Sequence, residues 1–138
     1  MLIRHSTLLL AACAIITASL VSIGAVNAQE PPPRLVIKNG ETIELYPLWY
    51  VANCHSIMIG LPEIEVLEGA PELTFSLREE PVLPRRLGCA NKVPGAMLLL
   101  TAKGVTAAAE AKLVYRVKYN TKDGPRQTAR SYVVSLFP

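Results

Sequence analysis

With 138 residues, 14 basic against 11 acidic side chains and a formal net charge of +3, the chain has room for one ordinary domain and not for two. So small a positive charge, with no aromatics on the strand face that carries Lys112, Arg116 and Lys118, argues against a nucleic-acid surface. Once an N-terminal leader is set aside, one histidine and one aspartate remain, which argues against a hydrolytic triad.

The first element is that leader. Met1-Leu2-Ile3-Arg4-His5 is a short basic stretch, Leu8 to Ile23 carries no charge, and Val26-Asn27-Ala28 is a small-residue cleavage site. This is the layout of a secretory signal peptide over residues 1–28. An uncleaved anchor is the competing reading, because the uncharged stretch is long enough to cross a bilayer. The small residues at 26 and 28 and the breakers Gly24 and Pro31 to Pro33 favour cleavage, leaving no integral membrane segment. A second alternative is a lipoprotein box at Leu10-Ala11-Ala12-Cys13, with Cys13 lipidated and the product tethered to a membrane. Mostly apolar residues follow Cys13, where a polar tether would be expected.

Residues 29–138 then hold 13 basic and 11 acidic residues and two cysteines, Cys54 and Cys89. In an oxidising compartment these two are expected to pair; a free reactive pair or bonds to another chain are the alternatives. No Asn-x-Ser/Thr sequon occurs, which favours a bacterial periplasmic or secreted product over a eukaryotic one.

Residues 29–34 form a proline-rich leader, and residues 35–138 are expected to fold as a single domain. Short apolar runs alternate there with turn signals. Strands are expected at Leu35 to Lys38, Thr42 to Tyr46, Trp49 to Asn53, Ser56 to Ile59, Ile64 to Glu68, Leu73 to Arg78, Ala96 to Lys103, Glu110 to Tyr119 and Gln127 to Phe137. Turns are expected at Asn39-Gly40, Gly60-Leu61-Pro62, Gly69-Ala70-Pro71, Pro94-Gly95 and Asp123-Gly124-Pro125. This spacing predicts an all-β sandwich of about 7–9 short strands. Ala107 to Ala109 favour helix, but the run is too short to stand alone and reads as a connection.

The last two strands carry the sharpest pattern. Leu113, Tyr115, Val117 and Tyr119 alternate with more polar neighbours, as do Tyr132, Val134 and Leu136. Folding the arms about Asp123-Gly124 sets Tyr115 opposite Tyr132 and Leu113 opposite Val134 on one face. Pro125 has no N–H to close a two-residue loop, so a wider loop is expected. The run Leu113-Val114-Tyr115-Arg116-Val117-Lys118-Tyr119, followed by a turn and a long last strand, resembles bacterial immunoglobulin-like sandwich domains over about 30 residues. The resemblance implies an antiparallel immunoglobulin-like sandwich. It departs from the antibody pattern because Trp49 precedes Cys54 instead of lying between two cysteines.

No group stands out for catalysis or a cofactor, and the expectation is a non-catalytic interaction module. Residues 29–102 carry a net −3 and residues 103–138 a net +5. Lys112, Arg116 and Lys118 fall on the solvent side of one strand, with Lys122 and Arg126 at the turn beyond. This basic stripe is a candidate surface for a protein or an anionic envelope component. Tyr46, Trp49 and Tyr50 form the densest aromatic patch, either a binding platform or core. The alternative function is copper-type metal handling through His55, Met58 and Met97, whose donors suit soft ions. Glu41 with Glu44, Glu63 with Glu65 and Glu79 with Glu80 are the only paired carboxylates that could serve as acid and base.

Overall fold

The computed structural model describes residues 29–138; the expected signal peptide and Cys13 lie outside them. Nine strands form in chain order: β1 (Arg34–Lys38), β2 (Thr42–Leu48), β3 (Val51–Ala52), β4 (His55–Ser56), β5 (Glu63–Glu68), β6 (Leu73–Val82), β7 (Val93–Ala102), β8 (Ala109–Thr121) and β9 (Gly124–Phe137). One turn of 3-10 helix, Arg85–Leu87, interrupts the β6–β7 connection. One sheet has the order β1-β9-β8-β5 and the second β2-β7-β6, while β3 and β4 make a small hairpin. All pairings are antiparallel except β1, which runs parallel to β9. The molecule is an all-β sandwich.

Alternation sends every second side chain of each strand to the interior. From the first sheet come Ile37, Leu113, Tyr115, Val117, Tyr119, Val134 and Leu136; from the second come Leu48, Leu73, Leu98, Leu100 and Ala102. A bulge in β2 between Glu44 and Tyr46 lets Ile43, Leu45 and Tyr46 all pack against this core, which strict alternation forbids.

Three local expectations are corrected. The β8–β9 register places Leu113 opposite Tyr132 and Tyr115 opposite Arg130, two residues from the expected pairing. The loop is tight, not wide: Thr121 pairs with Gly124 across Lys122-Asp123. Gly124 adopts φ +100°, and the Thr121 hydroxyl donates to its carbonyl at 2.6 Å. Pro125 costs the ladder nothing, because residues of its phase in β9 point their N–H groups away from β8. Val133, in that phase, donates instead to the Pro33 carbonyl beside β1. The third correction concerns Pro94-Gly95, which lies inside β7 opposite Pro81 and Glu80 and is not a turn. A Cβ on Gly95 would stand 2.6 Å from the Leu48 carbonyl oxygen, so glycine is there for close backbone approach.

The disulfide joins Cys54 to Cys89 with Cα atoms 5.5 Å apart. Cys54 sits at the tip of the β3–β4 hairpin, where Asn53 and Cys54 take φ of 50° and 61°, the left-handed pair of a type I′ two-residue turn. The bridge therefore staples this hairpin to the loop between β6 and β7, and does not pin the two sheets together.

Candidate functional site

The hairpin tip, the β6–β7 loop and the β8–β9 turn gather at one end of the sandwich. Besides the disulfide, Met58 bridges to Thr121, Ile59 N–H donates to the Asn120 carbonyl at 2.7 Å, and Lys122 N–H donates to that of Ile57 at 2.9 Å.

The basic stripe splits in two. On the outer face of the first sheet, β5 docks against β8 so that Glu63 lies opposite Lys118 and Glu65 opposite Arg116. Lys112 reaches Glu68 at 3.2 Å, Arg116 reaches Glu65 at 3.1 Å and Lys118 reaches Glu65 at 3.0 Å. The hydrogen bond from Lys118, with help from the charge of Arg116, holds the Glu65 carboxyl below its ordinary range. These three cations are thus partly neutralised. Lys122 and Arg126, at the turn, form no ion pair with any described residue; neither do Arg85, Arg86 and Lys92 in the β6–β7 loop. A groove of about 370 Å³ opens beside the turn between Glu63, Lys118, Asn120, Arg126 and Gln127. The loop cations carry no periodic signature, and only the position of the disulfide reveals that they share an end with Lys122 and Arg126.

Of the aromatic patch, Tyr46 and Tyr50 pack against the core and Trp49 is half-buried. Tyr50 meets Tyr119 with ring centres 5.4 Å apart. Tyr46 lies under Arg130, whose guanidinium carbon is 3.9 Å from the ring centre. Arg130 was not expected here. It shares the phase of Tyr132 and Val134, so extending that alternation by one step reveals an inward-facing cation.

The soft-metal donors are not brought together. His55 is exposed, with Nδ1 2.8 Å from the Asn53 carbonyl oxygen. Met58 packs against the core, whereas Met97 falls on the outer phase of β7 between the buried Ala96 and Leu98. Among the described residues no three His, Cys, Asp or Glu side chains converge as a metal would require. The carboxylate pairs are also dispersed. Glu41 accepts from the Lys38 N–H at the β1–β2 turn, Glu44 and Glu80 share Arg78 on the second sheet, and Glu63 and Glu65 lie on the first. Among the described residues no helix is long and apolar enough to cross a membrane.

No protein-family model, no curated protein and no solved structure matches the chain.

Proposed function

We propose that the chain is an exported, non-catalytic interaction module of the bacterial envelope, built on an immunoglobulin-like sandwich, that meets an anionic partner with its disulfide-stapled end. The observation that carries this reading is the separation of the cations. Those of β8 are engaged by β5, while Lys122, Arg126, Arg85, Arg86 and Lys92 form no ion pair with a described residue, and Arg126 lines the groove beside the turn. Unpaired cations gathered at one end of a molecule raise the local concentration of anionic ligands.

The strand order supports the immunoglobulin-like part. The partition β2-β7-β6 against β5-β8-β9 corresponds to strands B-E-D against C-F-G of that fold, with β1 standing where a first strand has crossed to the C-F-G sheet. The N-terminal pattern and the Cys54–Cys89 bridge support export.

Cosedimentation with vesicles rich in phosphatidylglycerol tests the charge reading. The double variant Lys122→Gln/Arg126→Gln is expected to lose most of the bound fraction, and added salt to weaken what remains. Lys112→Gln/Arg116→Gln is expected to lose less, because those charges already serve Glu68 and Glu65 and neither side chain lines the groove. Equal losses in the two variants, or no binding by the wild type, would overturn it.

A further inference from the structure

The edge of the first sheet is only half covered. β1 pairs with Val133 to Phe137 of β9 and stops at Arg34, so that among the described residues the β9 segment from Gly124 to Tyr132 has β8 on one side and no strand on the other. Residues Pro31 to Pro33 precede β1 and have no N–H to donate, so this segment cannot form a complete two-way ladder along the edge. Val133 donates to Pro33 and the Phe137 carbonyl accepts from Asn39; this phase of β9 therefore faces the β1 side. By alternation the N–H and C=O groups of Gln127, Ala129 and Ser131 face outward, and no strand among the described residues receives them.

Arg130 stands in the middle of that segment and points into the sandwich, over Tyr46 of β2. It makes no ion pair and no side-chain hydrogen bond with a described residue, and its Nε is buried without a partner. An inward-pointing charge is one of the devices by which sheets discourage indiscriminate pairing at an edge. Here the device is selective. A strand added beside Arg130 takes more water from the guanidinium, which disfavours any strand that brings no counter-charge. A strand with a carboxylate at the neighbouring inward position supplies the charge-assisted hydrogen bonds the arginine lacks.

From this we infer that the free edge of β9 from Gln127 to Ser131 is a docking site for an extended peptide strand carrying an acidic residue at the position beside Arg130. The backbone of the edge supplies the ladder, as in other strand-addition complexes, and Arg130 supplies the specificity. A second copy of this chain is a poor occupant, because two such edges brought together place two Arg130 guanidinium groups at one mouth. The edge begins at Gln127, which also lines the groove of the preceding proposal, but Arg85, Arg86 and Lys92 belong to the β6–β7 loop, and Arg85→Gln/Arg86→Gln/Lys92→Gln leaves the edge intact.

The test uses the full chain and three capped peptides, Thr-Val-Thr-Glu-Thr-Val-Thr and its counterparts with Lys or Gln in place of Glu, with binding read by fluorescence anisotropy. The Glu peptide is expected to bind at least about tenfold more tightly than the Lys peptide. Arg130→Gln is expected to abolish that preference and Arg130→Lys to retain it. Ala129→Pro removes an outward N–H without touching the β8 ladder and is expected to abolish binding while the thermal melt and far-ultraviolet circular dichroism stay native. Should Ala129→Pro unfold the chain, N-methylation of alternate amides in the Glu peptide removes the ladder from the other side and is expected to abolish binding equally. Equal affinity for the Glu and Lys peptides, binding that survives both backbone blocks, or a dimer that occupies this edge in place of peptide would overturn the inference.

Discussion

Arg130 of β9 holds its guanidinium carbon 3.9 Å from the centre of the Tyr46 ring of β2, so a cation of one sheet closes against an aromatic face of the other. The contact lies at the open side of the sandwich, where both strands present an edge. A double-mutant cycle with Arg130→Met and Tyr46→Leu, read by urea denaturation, is expected to give a coupling of about 0.5–2 kcal/mol. Additive single effects would show that the pair is merely adjacent.

The β5–β8 ion pairs make a prediction at low pH. Glu65 has its carboxyl lowered by Lys118 and Arg116, so its folded form holds a proton less readily than its unfolded form. That contribution is fully present above the unfolded carboxylate pKa and is lost as pH falls through the depressed folded value. Melting temperatures of wild type and Glu65→Gln are therefore expected to differ at neutral pH and to converge in acid. A constant offset across the range would remove Glu65 from the acid response.

At Gly95 the constraint is backbone against backbone. A methyl group there meets the Leu48 carbonyl oxygen at 2.6 Å and the Val82 side chain at 2.8 Å. Val82 can turn, but the Leu48 carbonyl belongs to the end of β2 and cannot move alone. Gly95→Ala is expected to destabilise by about 1–3 kcal/mol in chemical denaturation, although alanine suits an ordinary strand better than glycine.

Gly95 also shows where sequence reasoning ran out. The strands follow from short apolar runs between turn signals, and the facing of Tyr115, Val117 and Val134 from alternation, both of them local properties. Pro94-Gly95 carries the local signature of a turn, and only the nearness of Leu48 in another strand explains its place inside β7. The β8–β9 hairpin slipped by two residues because Asp123-Gly124 looks like the centre of the turn, whereas Gly124 is the first residue of β9. An even slip keeps every side chain on its face, and so the core prediction survived. The pairing of Lys112 and Lys118 with Glu68 and Glu65 depends on β5 docking beside β8, a long-range event with no local trace.

The disulfide closes a loop across a sequence separation of 35, for which the chain-entropy model gives about 3.8 kcal/mol. Because it staples a two-residue-turn hairpin to a loop, its loss is expected to act in two ways. Cys54→Ser/Cys89→Ser should lower global stability by up to about that amount, and hydrogen exchange should accelerate first at Ala52 to Ser56 and around Cys89. Uniform acceleration that includes β8 and β9 would contradict the local part.

At high pH the tyrosines should dominate stability. Burial pushes the Tyr119 hydroxyl up to about 12, with the neighbouring Tyr46 adding to the effect. Burial raises Tyr115 further, reinforced by Tyr132, whose ring lies parallel to it with centres 6.2 Å apart. Folding therefore holds these protons against an ordinary tyrosine value of 10.0. The stability they contribute is complete below the unfolded pKa and is lost as pH rises through the folded values. Phenolate absorbance is expected to titrate Tyr119 and Tyr115 last, Tyr115 only together with unfolding. Among the described residues no group, the neighbouring Tyr132 hydroxyl included, stands in hydrogen-bond geometry to the buried Tyr115 hydroxyl, so Tyr115→Phe removes an unsatisfied polar atom and keeps the ring against Phe75, 4.7 Å away between centres. At neutral pH that variant is expected to equal or exceed the wild type by up to about 1 kcal/mol, and its alkaline unfolding should shift to higher pH. A loss of stability at neutral pH would mean that the hydroxyl is satisfied in solution.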